Sequence, residues 1–133
     1  MTPEDKKLLF VDLCGRLPYY PKCEMIDNLR VVNNKKESSY ISTLFPKHIE
    51  LFSYHNNFTI KPYLRPISSM TEEEMAEFKW LNGECDNMPT FNYIPVEHYR
   101  LFDWLNRNYF DYRGLIPKGL AIEVTKDNNP YKE

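Results

Sequence analysis

The N-terminal residues carry the pattern of an amphipathic helix with a well-marked start. Thr2 can cap the helix, and Pro3 occupies the first helical position, where its missing N–H costs no hydrogen bond. Glu4 and Asp5 then favour the positive end of the helix dipole. Gly15 stands where a C-terminal cap is expected. The apolar stripe between these signals is formed by Leu8, Leu9, Val11, Leu13 and Cys14.

The pattern changes over 25–63 to short apolar runs separated by polar turns, which predicts three or four antiparallel strands. Segment 48–54 alternates apolar and polar side chains and is predicted to be one of these strands. Segment 55–57 is predicted to be the turn to its hairpin partner, because asparagine tolerates positive φ. Pro62 and Pro66 predict a strand edge or end, since proline cannot donate to a ladder.

The strongest local signal in the chain is the capping box at 71–74, which predicts a second helix that ends at Gly83. A third helix is predicted over 95–108 and a short final strand over 120–124. The remaining residues, 125–133, are polar and are predicted to form a frayed C-terminal tail.

Together these elements predict a small single α+β domain over 1–124, followed by the tail. About three helices are expected to pack on an antiparallel sheet of three to five strands. A chain of 133 residues is long enough to bury a core without disulfides or metals.

Composition excludes several classes of function. The chain has only 4 glycines, and the turns and helix ends need all of them. None is left for a glycine-rich phosphate loop. Its net charge of −2 argues against a strongly basic nucleic-acid module. The 3 cysteines are odd in number and widely spaced, which favours reduced thiols in a cytoplasm. No apolar run is long enough for a membrane span, so no membrane association is expected.

The candidate groups for metal binding and catalysis do not form a recognisable pattern. His48, His55 and His98 lack the spacing of metal ligands, and on a strand the first two would point to opposite faces. Cys14 lies near a helix C-terminus, where the dipole disfavours a thiolate, and Cys23 has no neighbouring base. The sequence therefore predicts no metal, no cofactor, no catalytic residue and no enzymatic activity.

Segment 61–66 presents two cations and one aromatic ring on a backbone stiffened by two prolines. Such a layout can stack a nucleic-acid base or bind a carboxylate. The alternative is an edge segment in which Tyr63 packs inward and the cations are solvated. The candidate nucleic-acid contacts are Lys47, Lys61 and Arg65.

A dense aromatic cluster lies over 102–112 and continues into Arg113. Tryptophan, tyrosine and arginine together are typical of interaction hot spots, but the same residues can fill a corner of the core. The core corner is the favoured interpretation of the cluster as a whole. The candidates for an exposed interaction surface are Tyr63, Arg65, Trp104, Tyr112 and Arg113.

Four blocks of the sequence resemble a known family: LCGRLPY at 13–19, KPYLRPISSMT at 61–71, DWLN at 103–106 and FDYRGLI at 110–116. They are similar to small uncharacterised proteins of gut Bacteroides-type bacteria, their phages and mobile elements. This resemblance implies a phage or prophage accessory protein in a bacterial cytoplasm. It implies no activity and no catalytic residues.

The predicted function is therefore that of a non-enzymatic protein-interaction module with an unidentified protein partner. Inhibition of a host defence or regulatory protein is the alternative within the same context. A nucleic-acid-binding accessory factor is the alternative from a different class. The sequence leaves the oligomeric state open.

Overall fold

Four α-helices and four β-strands make up the parts of the chain that the structure, a computed structural model, describes: residues 1–27, 38–86 and 96–132. The α+β class predicted from the sequence is confirmed, with one helix more than predicted. Short 3-10 turns at Leu17–Tyr19 and Ile67–Ser69 join some of the elements. In chain order the elements are α1 (Pro3–Arg16), β1 (Lys22–Asp27), β2 (Ser38–Thr43), α2 (Pro46–Tyr54), β3 (Phe58–Leu64), α3 (Glu72–Asp86), α4 (Val96–Arg107) and β4 (Ile122–Glu123).

The described strands form one sheet in the order β2-β1-β3-β4. β1 runs antiparallel to both β2 and β3, as predicted, but β4 pairs parallel to β3. The prediction of a purely antiparallel sheet is wrong at this strand. The chain reaches β4 only after α3 and α4, and a long helical crossover allows the parallel direction that a tight hairpin forbids.

Pro62 lies in the middle of β3, yet its missing N–H removes no backbone hydrogen bond between β3 and β1. In an antiparallel sheet, successive residues of a strand form their backbone hydrogen bonds alternately to the two neighbouring strands. The hydrogen bond from the Leu44 N–H to the Pro21 carbonyl (2.9 Å) continues the β1–β2 register. Odd-numbered β1 residues therefore bond to β2, and even-numbered ones to β3. Pro62 stands opposite Cys23, so its missing donor faces away from β1. On that side β4 pairs only with the last two residues of β3. At Pro62 the strand is thus an edge on one side, although β3 lies inside the sheet.

The predicted strand at 48–54 is wrong, because these residues belong to α2. Pro46 starts the helix, and the Phe45 N–H donates to Nδ1 of His48 at 3.0 Å, which satisfies one N-terminal donor. His48 and Phe52, four residues apart, are the buried positions of the helix. The alternation that predicted a strand also contains this i, i+4 pair, and over so short a segment the two periods overlap.

Among the described residues, the core consists of two hydrophobic clusters. The larger one joins the sheet to α1, α2 and the segment before β4, with Leu9, Met25, Phe52 and Ile60 among its members. The second joins α3 and α4 around Trp104. The predicted helix ends at Gly15 and Gly83 are wrong: α1 continues to Arg16, and α3 continues past Gly83 to Asp86.

Tyr131 anchors the described C-terminal residues, 125–132, so the prediction of a frayed tail is wrong for them. The next rung of the β1–β3 ladder would join Lys22 to Tyr63, and the Tyr131 hydroxyl stands between them. It accepts a hydrogen bond from the Lys22 N–H (3.0 Å) and donates one to the Tyr63 carbonyl (2.8 Å). The Tyr131 ring stacks on Tyr109 with centroids 4.1 Å apart. Burial raises the pKa of Tyr131, which keeps its hydroxyl protonated as a donor.

Candidate interaction site

Two of the predicted surface residues lie in the interior. Tyr63 and Trp104 are each only 4% exposed, so the expectation that they form part of an exposed surface is wrong. Tyr63 lies on β3, and Trp104 stacks against Phe110 in the α3–α4 cluster, with centroids 5.5 Å apart. Large aromatic side chains in a small domain are needed to fill its core, and this need accounts for both positions.

Arg65 holds the end of β3 to the start of α3. Its guanidinium donates two hydrogen bonds to the Glu74 carboxylate, at 2.8 and 2.6 Å, and lies over the Phe110 ring at 4.3 Å. The hydrogen bonds from Arg65, more than those from Thr71, hold the pKa of Glu74 at about 2, well below its usual value. Arg65 is therefore occupied within the fold.

The three candidate nucleic-acid contacts do not form one basic patch. Lys47 is exposed at the start of α2, where it lines a groove with Glu50. Lys61 is half-buried and stands opposite Glu24 in the β1–β3 ladder. Arg65 is bound to Glu74. Since the two lysines line different grooves, their charges do not follow a common path for a phosphate backbone.

The other two candidates, Tyr112 and Arg113, belong to a charged network between α1 and the segment after α4. Asp12 and Arg16 on α1 are both fully buried and form an ion pair at 2.8 Å. Arg16 also donates to the Phe110 carbonyl at 2.7 Å, and Arg113 donates to the second oxygen of Asp12 at 3.3 Å. The Tyr112 ring lies within 5.2 Å of the Arg16 guanidinium and 4.8 Å of the Arg113 guanidinium. The network thereby fixes 110–113 against α1.

Beside this network lies a groove of about 410 Å³, which we call the α1–α4 groove. Two aromatic and three polar or charged side chains line it, among them the exposed Tyr99 (62% exposed) and the cation Arg100. Asn106 connects the groove to the network, because its side-chain oxygen accepts a hydrogen bond from the Tyr112 hydroxyl (2.9 Å). The groove is lined by Gly15, Pro18, Tyr19, Tyr99, Arg100, Asp103 and Asn106.

Phe102 extends the aromatic character of the groove along α4. It is half exposed, and its ring packs on Tyr112 with centroids 5.5 Å apart. Tyr112 and Arg113 are themselves partly exposed. Two of the five predicted surface residues, Tyr112 and Arg113, therefore lie next to residues that line the groove. Tyr63, Trp104 and Arg65 serve the fold.

Tyr99, Arg100 and Asn106 are not among the five residues that the sequence predicts for the interaction surface. A usable signal was present, because positions 99, 103 and 106 repeat at helical spacing and share one face of α4. The opposite wall, 15–19, lies within the block LCGRLPY, which was singled out only for its resemblance. What the sequence could not supply is that α1 and α4 lie side by side.

Burial shifts the pKa of two thiols and one imidazole in the described part of the chain. Burial raises the pKa of both Cys14 and Cys23, so neither thiol is activated as a thiolate. Burial lowers the pKa of His48, and its Nδ1 already accepts a backbone hydrogen bond. Among the residues that the structure describes, no group of three or more His, Cys, Asp or Glu side chains converges as metal ligands would.

Comparisons of the chain with protein-family models, with curated proteins and with solved structures returned no match. Within residues 1–27, 38–86 and 96–132, no helix combines the length and the apolar character needed to cross a bilayer.

Proposed function

We propose that this protein is a non-enzymatic interaction module that binds a protein partner through the α1–α4 groove. The observation that carries the proposal is the exposure of Tyr99 and Phe102 beside Arg100 and the Tyr112–Arg113 pair. Aromatic side chains and arginine are the residue types that dominate binding energy at protein interfaces. Single exposed aromatics are common, but several around one groove indicate a recognition surface.

The groove is held rigid by hydrogen bonds on two sides, which supports the proposal. The Tyr109 hydroxyl donates to the Tyr19 carbonyl at 2.6 Å and fixes the 3-10 turn that forms one wall. The Tyr112–Asn106 hydrogen bond ties the other wall, on α4, to the segment that follows it, and Arg16 holds that segment against α1 through the Phe110 carbonyl. A surface that is already ordered loses little conformational entropy when a partner binds.

The biological setting follows from the resemblance to proteins of Bacteroides-type bacteria and their phages. We place the module in a bacterial cytoplasm as a phage, prophage or mobile-element accessory protein. Inhibition of a host defence or regulatory protein is the specific form of this proposal, since such an inhibitor needs a binding surface and no chemistry of its own.

The proposal is tested by capturing partners from a bacterial lysate with two matched variants. Tyr99→Ala with Phe102→Ala removes the exposed ring of α4 that lines the groove and the exposed ring next to it, and these positions leave the core intact. Tyr54→Ala, on α2 and 78% exposed, removes a ring that lines a different groove. We expect the wild type and Tyr54→Ala to capture the same protein and the double variant to lose it. Equal capture by all three would contradict the proposal.

The same experiment separates the nucleic-acid alternative. Phosphate contacts release counterions, so binding that depends on them falls by orders of magnitude between low and moderate salt. Nuclease treatment and a salt series should leave the captured protein in place if the groove binds protein directly. Loss of the partner under both treatments would favour the nucleic-acid accessory factor instead.

A further inference from the structure

Within the part of the chain that the structure describes, β2 is an edge strand without the charges or prolines that usually protect an edge. It is the terminal strand of the sheet, and among the described residues it pairs only with β1. Its sequence, Ser-Ser-Tyr-Ile-Ser-Thr, contains no charge and no proline. Tyr40 is 45% and Ile41 57% exposed. Natural edge strands carry charges, prolines or bulges that prevent pairing with another chain, so an uncharged edge of this length is suited to pairing.

The register between β1 and β2 determines which β2 residues direct their backbone N–H and C=O groups away from the sheet. The bond from Leu44 N–H to the Pro21 carbonyl continues the β1–β2 register and assigns even-numbered β2 residues to β1. Ser39, Ile41 and Thr43 therefore direct their N–H and C=O groups away from the sheet. The Thr43 carbonyl already accepts a hydrogen bond from the Ser42 hydroxyl at 2.9 Å.

We propose that β2 pairs antiparallel with β2 of a second copy of this chain, with Ile41 on the two-fold axis. This register places Ile41 opposite Ile41, and Ser39 opposite Thr43, of the second copy. The outward N–H and C=O groups of one strand then meet those of the other, and the two sheets become continuous across the axis.

Two copies of β2 match each other in their side chains as well as in their backbone hydrogen-bonding groups. No like charges face each other across the pairing, because residues 38–43 are uncharged. Two Ile41 side chains pack together on one face of the sheet. On the other face the two Tyr40 rings are diagonal neighbours at roughly 7–8 Å, within reach of each other.

The size of the contact predicts a reversible dimer. Five paired residues and two side chains from each copy bury less than the roughly 800 Å² per partner of a standard interface. We therefore expect a dissociation constant in the roughly micromolar range rather than an obligate dimer. The proposal is independent of the α1–α4 groove, whose lining residues lie outside β2.

Sedimentation equilibrium over roughly 1–300 µM protein measures the dimer directly. Ile41→Lys places two like charges opposite each other on the axis and should weaken the dimer at least about tenfold. Tyr54→Lys introduces the same charge at another exposed site and should leave the dimer unchanged. A wild type that stays monomeric over the whole range, or an Ile41→Lys dimer as strong as the wild type, would overturn the proposal.

Amide hydrogen exchange measured by NMR tests the register itself. The outward amides of Ser39, Ile41 and Thr43 should become protected as the protein concentration rises. The amides of Tyr40 and Ser42, which already bond to β1, should not change and serve as internal controls. A dimer that leaves the three outward amides unprotected would show another mode of association and refute β2 pairing. Protection that appears only after a different protein is added would assign the edge to that protein's strand.

Discussion

Two arginine–carboxylate pairs secure the same stretch of chain in different environments. Asp12–Arg16 is completely buried, whereas the side chains of Arg65 and Glu74 remain 25% and 20% exposed. Both arginines contact the segment that follows α4: Arg16 lies over Tyr112 and Arg65 over Phe110. The comparison separates two uses of an ion pair, one that fixes a junction at a high desolvation cost and one that adds modest, pH-dependent stability.

The buried pair is the one whose disruption costs most. Asp12 is the shared partner of Arg16 and Arg113, so its removal leaves one guanidinium buried without a counter-charge. Nη1 of Arg16 already has no hydrogen-bond partner among the described residues, so this site carries a desolvation cost even before Asp12 is removed. The partly exposed pair loses less, because water can solvate whichever partner remains.

Asp12→Asn should therefore produce the largest effect, a loss of roughly 3–5 kcal/mol in the free energy of unfolding. Urea denaturation followed by circular dichroism measures this loss. Asp103→Asn is the control, because Asp103 is half exposed and lies 3.9 Å from Arg107, and it should change stability by less than about 0.5 kcal/mol. Similar losses in the two variants would show that the buried pair has no special role.

The Arg65–Glu74 pair should make the free energy of unfolding depend on pH. The pKa of Glu74 is lowered to about 2 in the folded state, chiefly by the hydrogen bonds from Arg65, against 4.5 for a free glutamate. The stabilisation is fully present above pH 4.5 and is lost as the pH falls towards 2. With allowance for partial exposure, we expect Glu74 to contribute roughly 1–3 kcal/mol to this acid loss.

Chemical denaturation at a series of pH values from neutral to about 2 measures that contribution. Glu74→Gln should flatten the acid limb of the stability curve, whereas Glu73→Gln, on an exposed neighbour in the same helical turn, should leave it unchanged. An acid limb with the wild-type slope in Glu74→Gln would mean that other carboxylates cause the loss.

The sequence predicts part of the Arg65–Glu74 contact, namely the capping box, but it does not predict the buried Asp12–Arg16 pair. The capping box at 71–74 was readable because a cap is a local motif with fixed spacing, and the structure confirms both of its hydrogen bonds. That Glu74 also binds Arg65, across the 3-10 turn at Ile67–Ser69, depends on tertiary packing. Asp12 and Arg16 stand at i, i+4, but charges at that spacing are expected on the solvated face of a helix, and nothing local marks them as buried.

The difference between local motifs and tertiary contacts also explains why some candidate surface residues are partly exposed and others lie in the core. Residue type predicts Tyr112 and Arg113 for the surface, but it predicts Tyr63 and Trp104 equally, and these two lie in the core. Residue type cannot separate the two cases, because aromatic side chains serve both cores and interfaces. The separation depends on which helices are neighbours. That information resides in contacts between α1 and α4, far apart in the sequence.

The smallest effect should come from the cap that precedes Glu74. The Thr71 hydroxyl accepts a hydrogen bond from the Glu74 N–H at 3.1 Å, and Glu74 bonds back to the Thr71 N–H at 2.9 Å. Thr71→Ala should cost about 1 kcal/mol. Thr2 caps α1 through the Asp5 N–H at 3.0 Å with no return bond described, so Thr2→Ala is the matched comparison for a cap without a box.

A double-mutant cycle of Thr71→Ala with Glu74→Gln then measures whether the cap and the ion pair act together. The reciprocal hydrogen bonds position the carboxylate that Arg65 binds, so removal of the Thr71 hydroxyl should also weaken the hold on Arg65. We expect a coupling of roughly 0.5 kcal/mol, and a larger loss for Thr71→Ala than for Thr2→Ala. Equal losses and additive effects would mean that the cap stabilises α3 alone and that the β3–α3 junction depends on Arg65 and Glu74 without it.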